Sequence, residues 1–157
     1  MFVYRIVKNK IRTKNLSGKG AYNEGGRWNN EGVFALYTSE NEALALLEVL
    51  VHAEESELPP NLFITTIEFS NNYPILTIAD SNLPADWRIP ENILLKYMGD
   101  KILSEEKYLG IKTRSAVLPG SFNYILNPLF PGYYDIVKVV DVGLLEVDKR
   151  FKPFDIK

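Results

Sequence analysis

Short strand-like runs in this sequence outnumber the helical ones and do not alternate regularly with them. Regular strand–helix alternation builds a doubly wound parallel sheet. Its absence predicts an α+β fold, a single domain with a short-stranded mixed or antiparallel sheet core and a few helices. The strand-like runs lie at residues 2–7, 33–37, 63–69, 75–78, 111–119, 133–140 and 143–147. The run at 63–69 is the strongest, because β-branched and aromatic residues fill it.

The clearest helix follows Tyr37. Ser39-Glu40-Asn41-Glu42 reads as a capping box, with Ser39 as N-cap and Glu42 at the third helical position. Ala43, Leu44, Leu46, Leu47, Leu50 and Val51 then form an apolar stripe at helical spacing. Glu48 falls at the edge of that stripe, and His52 lies one turn further on, within side-chain reach. Leu58-Pro59-Pro60 ends this helical region. A second helix is expected over 91–103, with a weak middle where Gly99 sits.

Composition narrows the chemistry. With 157 residues, 46% of them hydrophobic and 24% charged, the chain suits one domain spanning 1–157, with a less ordered tail from about 148. A net charge of −2 argues against a dedicated nucleic-acid or anionic-membrane binder. There is no cysteine and a single histidine, so neither a disulfide framework nor a zinc site is expected, and no metal is assigned. No apolar run reaches membrane-spanning length, and the start is too short and polar for a secretory signal. The expected location is the cytoplasm.

Gly25-Gly26-Arg27-Trp28-Asn29 is the most distinctive loop. Two glycines let backbone approach a ligand closely, and the arginine fork suits phosphate or carboxylate. The competing reading is a tight turn whose Trp28 packs beneath it and whose Arg27 makes a surface ion pair. An earlier cluster, Ser17-Gly18-Lys19-Gly20-Ala21, shares this flexible region, and the two together could form a floor of backbone N–H groups. Neither cluster has the spacing of a P-loop or a G-x-G-x-x-G turn.

Ser115 lacks a G-x-S-x-G elbow, and His52 is the one available histidine base, so a serine hydrolase has no local support. A paired-carboxylate glycosidase needs a second acid beside Glu48, and none is identified. Arg27, Tyr37, Glu48 and Ser115 together suit a dinucleotide with a reactive glycosidic bond. Arg27 would bind a phosphate and Tyr37 would stack on a flat ring. Glu48 would contact ribose or support positive charge at the anomeric carbon, and Ser115 would bond the ribose or a carboxamide. Asn123 and Asn127 bracket an aromatic–aliphatic run and are expected to fix a turn or a ligand edge.

Five motifs in order resemble one known family. They are Gly25-Gly26-Arg27-Trp28-Asn29, Ala35-Leu36-Tyr37-Thr38-Ser39, Ala43-Leu44-Ala45-Leu46-Leu47-Glu48 with His52, Ser115-Ala116-Val117, and Phe122 through Asn127-Pro128. The sequence is identified as a member of the RES domain family, named for an Arg, a Glu and a Ser that here are Arg27, Glu48 and Ser115. The likeness runs from Tyr4-Arg5 into the closing strands. Arg114 departs from it where a proline is expected, and Asn30 where a proline or small residue is frequent.

The resemblance implies a fold similar to ADP-ribosyltransferases and a bacterial toxin partnered by an Xre-like antitoxin, as a hetero-oligomer or also a homodimer. It implies catalytic roles for Glu48, Arg27 and Ser115, with nucleotide contacts from Arg27, Tyr37, Ser115 and Asn127. NAD would be consumed as substrate, by hydrolysis or phosphorolysis, with no cofactor. Transfer of ADP-ribose to a protein is the alternative within the enzyme class. A non-catalytic nucleotide- or partner-binding module is the alternative outside it.

Overall fold

The computed structural model describes residues 1–52, 61–148 and 150. Seven strands form one sheet: β1 (Phe2–Val7), β2 (Leu36–Ser39), β3 (Asn61–Glu68), β4 (Ile75–Thr77), β5 (Gly110–Arg114), β6 (Phe122–Leu126) and β7 (Lys138–Glu146). Their order is β4-β5-β6-β2-β1-β3-β7, antiparallel throughout except for the parallel pair β4–β5. Four helices complete it: α1 (Lys19–Glu24), α2 (Glu42–His52), α3 (Ile93–Ser104) and α4 (Tyr133–Ile136). This is the mixed-sheet α+β architecture that the irregular strand–helix order implied.

Alternation along the strands divides the core between the two faces. Val3, Leu36, Ile67, Tyr124 and Leu126 pack on one face, closed by Tyr133 and Val137 from around α4. The opposite face carries two separate apolar clusters. One joins Trp28, Ile78, Leu95, Ile111 and Ile125 under α3, and the other joins Ile6, Ala45 and Leu62 under α2. A buried leucine or isoleucine contributes about 1.5–3 kcal/mol, so both clusters are strong anchors. The gap between them is where polar side chains collect.

Several local expectations shift. α2 starts at Glu42, and Asn41 accepts the Leu44 N–H at 2.8 Å, so Asn41 rather than Ser39 caps the helix. Ser39 instead ends β2 and is paired with Tyr4 of β1 and Asn123 of β6. The capping-box pattern misled because asparagine, two residues on, competes equally well as a cap. The Ser17–Ala21 region is not a loose turn. It holds the two-turn helix α1, entered through Gly18 at φ 67°.

α3 runs unbroken through Gly99. A Cβ there would overlap the carbonyl oxygen of Trp28, so glycine lets the loop backbone rest against the helix. Packing outweighs the propensity cost of about 1 kcal/mol. The closing strand begins later than its apolar run suggested. Tyr133–Ile136 is a helical turn entered through Gly132 at φ 76°, and β7 then absorbs both predicted strands in one element. The helix stop at Leu58-Pro59-Pro60 lies outside the described residues, as does the tail at 149 and 151–157.

Candidate active site

Register brings the polar residues into line. Ser39 of β2 pairs with Asn123 of β6, and Asn123 pairs with Thr113 of β5. The next row toward α3 is Tyr37, Ile125 and Ile111. Residues in a row share a sheet face, so Ser39, Asn123 and Thr113 form a polar strip alongside the apolar row. It lies on the face whose two hydrophobic clusters leave a gap between them.

Glu48 reaches this strip from α2. Its Oε1 accepts from Ser115 Oγ at 2.8 Å and from Asn123 Nδ2 at 2.5 Å. Asn123 is itself oriented by Ser39 Oγ, which donates to its Oδ1 at 2.8 Å. Ser115 is fully buried just past the end of β5, and its hydroxyl accepts from the N–H groups of Val117 and Leu118 at 3.1 and 3.0 Å. The Ser115 proton therefore points at the carboxylate. Both side-chain donors meet the same oxygen, Oε1. The other carboxylate oxygen has no protein hydrogen bond among the described residues and is the one available to a ligand. Beyond Asn123, Thr113 Oγ1 is buried without a hydrogen-bond partner.

This arrangement decides among chemical readings of Ser115. A serine nucleophile needs a base to accept its proton and an exposed oxygen. Ser115 is buried, and both N–H groups at its back occupy its acceptor side. It acts as a fixed donor that holds Glu48. His52 is exposed at the end of α2 and is not among the partners of Glu48.

The glycine loop forms the other end. Gly26 and Asn29 close it with a backbone pair, Gly26 N–H to Asn29 C=O at 2.9 Å. Gly25 N–H goes to the Ala21 carbonyl at 2.8 Å. These two N–H groups are thus spent internally, so Gly25 and Gly26 do not contribute to the anion-binding floor the sequence suggested. Trp28 is buried under the loop, as the alternative reading of this stretch had it. Asn29 is fully buried, and its Nδ2 bonds the carbonyls of Ala21, Asn30 and Val33 within 3.0 Å.

Tyr37 braces this loop. Its hydroxyl accepts from Trp28 N–H at 2.8 Å and donates to Asn29 Oδ1 at 2.7 Å. Its ring lies where a Cβ on Gly26 would stand, so Gly26 permits the contact. Burial pushes the phenol well above its ordinary value, with the Trp28 N–H and the Arg27 charge acting the other way. Arg27 projects from the loop and donates from Nη1 to the carbonyls of Trp87 and Ile89, at 3.1 and 3.0 Å. It makes no ion pair among the described residues.

Asn127 is not part of either end. It is fully buried, donates to the Leu103 carbonyl at 2.8 Å and accepts from Leu129 N–H at 3.1 Å, so its amide fixes the turn after β6. The two departures from the family pattern also find structural roles. Arg114 makes a two-point contact with Asp80, 3.0 Å at each oxygen, and stacks on Phe122, whose ring packs with the cluster on the other sheet face. That partnership holds the Asp80 carboxyl below its ordinary value. Asn30 ties the loop to α3 through Asp100, at 2.9 and 2.7 Å.

Residues 2–148 match the RES domain family. The chain belongs to the RES domain family. Among its relatives, Toxin Res of Photorhabdus laumondii is 34% identical over 148 residues, covering 92% of this chain and 94% of that protein. Toxin Res of Yersinia enterocolitica is 32% identical over 155 residues, covering 97% and 100%. The Prs ADP-ribosylating toxin of Sphingobium is 32% identical over 121 residues, covering 74% of each. The crystal structure of the Mycobacterium tuberculosis MbcT–MbcA toxin–antitoxin complex contains a chain of the same fold. It has a TM-score of 0.73 at 17% identity, covering 92% of this chain and 83% of that one.

Arg27, Glu48 and Ser115, the three residues expected from the resemblance, thus form two units in this chain. Glu48 and Ser115 are in direct contact, whereas Arg27 is anchored to the 87–89 segment. Ser39 and Asn123 are the residues sequence reasoning underused. Their signal was present, because a strand-terminal serine and an asparagine on the paired strand are poor choices for a core. Only register shows that they meet.

Proposed function

We propose that this RES-domain toxin cleaves the nicotinamide–ribose bond of NAD, and that a cognate antitoxin, Xre-like by family resemblance, restrains it. The carrying observation is the Glu48 carboxylate, fixed through one oxygen by Ser115 and Asn123 with its other oxygen unbonded. When the C–N glycosidic bond breaks, its electron pair leaves with nicotinamide and positive charge develops at the anomeric carbon. A preorganised carboxylate stabilises that charge without reorganising during the reaction. Water or phosphate then adds at the carbon, and a proton is lost from the adding oxygen. No step ionises Ser115.

Arg27 supplies phosphate recognition, exchanging two neutral carbonyl partners for an anion that bonds a guanidinium more strongly. Tyr37 shapes the loop that presents it, and its ring offers an aromatic wall. Asn127 stabilises the turn below. The Yersinia and Photorhabdus relatives bear the name toxin over nearly the whole chain, which supports toxicity. The solved neighbour comes from a toxin–antitoxin complex, which supports an antitoxin partner. No helix among the described residues is long and apolar enough to cross a membrane.

The name of the Sphingobium relative favours a second reading, transfer of ADP-ribose to a protein. Both readings share bond cleavage and differ in the acceptor. Purified protein incubated with NAD in water, in phosphate and with lysate proteins separates them. Free ADP-ribose or its 1″-phosphate, with stoichiometric nicotinamide, is the expected result. Nicotinamide release that appears only with lysate, together with a labelled protein, selects transfer. NAD binding without any release leaves a binding module and removes both enzymatic readings.

A further inference from the structure

The segment between the single-turn helix at Asp80–Asn82 and α3 crosses from the glycine loop to the turn after Ser115. Arg27 holds its backbone at the Trp87 and Ile89 carbonyls. The residue between them, Arg88, reaches the other way, and its Nε donates to the Ala116 carbonyl at 3.0 Å. Arg88 is therefore anchored one residue from Ser115, whose hydroxyl bonds Glu48.

The ion pairs of the described residues join Lys96 to Glu91, Arg114 to Asp80 and Arg150 to Asp148. Neither Arg27 nor Arg88 meets a carboxylate in this way, although Glu91, bonded to Lys96, contributes a distant field at Arg27. Arg88 is exposed, and its guanidinium makes one hydrogen bond among the described residues, from Nε to the Ala116 carbonyl, which leaves both Nη groups free of protein partners. Two guanidiniums without an ion pair among the described residues thus meet at one short segment, Arg27 reaching it from the glycine loop and Arg88 leaving it. Planar guanidinium forks recognise phosphate through paired N–H donors, and their charge is not lost at any ordinary pH.

We propose that Arg88 is a second phosphate-binding residue of this site, so that a diphosphate ester is gripped by Arg27 at one end and Arg88 at the other. This rests on the dinucleotide reading above and deepens it by assigning the second cation. The Nε bond to Ala116 orients the fork while Nη1 and Nη2 meet the anion. Arg88 would then bind substrate and would take no part in bond cleavage.

Calorimetry with ADP-ribose and with adenosine, on the wild-type protein and on Arg88→Ala and Arg88→Lys, tests this. The expected result is an affinity for ADP-ribose about tenfold weaker in Arg88→Ala, the loss of one charge-assisted contact. Arg88→Lys recovers part of it, adenosine binding is unchanged across the series, and added salt narrows the difference. Unchanged ADP-ribose affinity in Arg88→Ala overturns the assignment while leaving the dinucleotide reading intact. An equal loss for adenosine and ADP-ribose also overturns it, because Arg88 would then only tether the segment to Ala116. A wild-type protein that binds no ADP-ribose overturns both readings. Circular dichroism melting of each variant separates misfolding from loss of the contact.

Discussion

The two ends of the site are built to opposite specifications. At the carboxylate end, Glu48 is held by one donor on β6 and one just past the end of the adjacent β5, and each donor is oriented by further hydrogen bonds, Ser39 on Asn123 and the Val117 and Leu118 N–H groups on Ser115. At the arginine end, the guanidinium rests on two carbonyls of a partly exposed segment. The first is a fixed instrument for stabilising charge that develops briefly. The second has partners that an anion outcompetes. On the proposed function, chemistry belongs to the rigid end and capture to the exchangeable one.

The largest expected effect is at the rigid end. Glu48→Gln keeps the shape and can still accept at its amide oxygen, yet it removes the charge. NAD cleavage should fall at least about 10²-fold, measured as nicotinamide release. At the other end, Arg27→Ala should raise KM more than it lowers kcat and should leave the melting temperature near wild type. If it unfolds the protein instead, Arg27 is a structural tie to residues 87–89, and the contrast between the ends collapses.

Asn123→Ala probes whether the rigidity matters. It should lower kcat about tenfold with little change in KM, since the cost is a misplaced carboxylate rather than a lost substrate contact. Ser39→Ala, acting through Asn123, should cost less, and adding it to Asn123→Ala should cost nothing further. Additive losses in the double variant would show that Ser39 acts independently of Asn123.

Tyr37→Phe sharpens the other side. It strips the Trp28 N–H and the Asn29 oxygen of a buried partner, and should cost about 1–3 kcal/mol of stability in denaturant titrations. The buried phenol also fixes a sign. A pKa raised by folding means that its contribution is fully present below the ordinary value of 10.0 and is lost as pH rises beyond it. The stability gap between wild type and Tyr37→Phe should therefore narrow above pH 10.0. The smallest effect belongs to Thr113→Val, which removes a buried hydroxyl that has no partner. It should leave stability equal or slightly higher.

Legibility in the sequence followed the same division. Fold class, the presence of α2 and the burial of Trp28 were readable, because each rests on local pattern or composition. The face of α2 was read less well: Leu44 is buried, but Leu47 and Val51 of the expected stripe are exposed, and Ala45 and Val49 pack inward instead. What was not readable depends on residues far apart in the chain. Ser39 looked like a helix cap because its partner, Asn123, lies 84 positions away. Gly99 looked like a helix breaker because the Trp28 carbonyl that needs the space belongs to a distant loop. Asn127 stood open between a turn and a ligand edge, and its hydrogen bonds to Leu103 and Leu129 give it a turn to hold. Arg27 was legible as a loop cation, whereas the carbonyls it rests on were not.

The division between capture and chemistry is tested most directly by one pair of measurements on Glu48→Gln, ADP-ribose affinity by calorimetry and nicotinamide release from NAD. The account predicts affinity within about twofold of wild type and release lowered at least about 10²-fold. A variant that releases nicotinamide at the wild-type rate would contradict it.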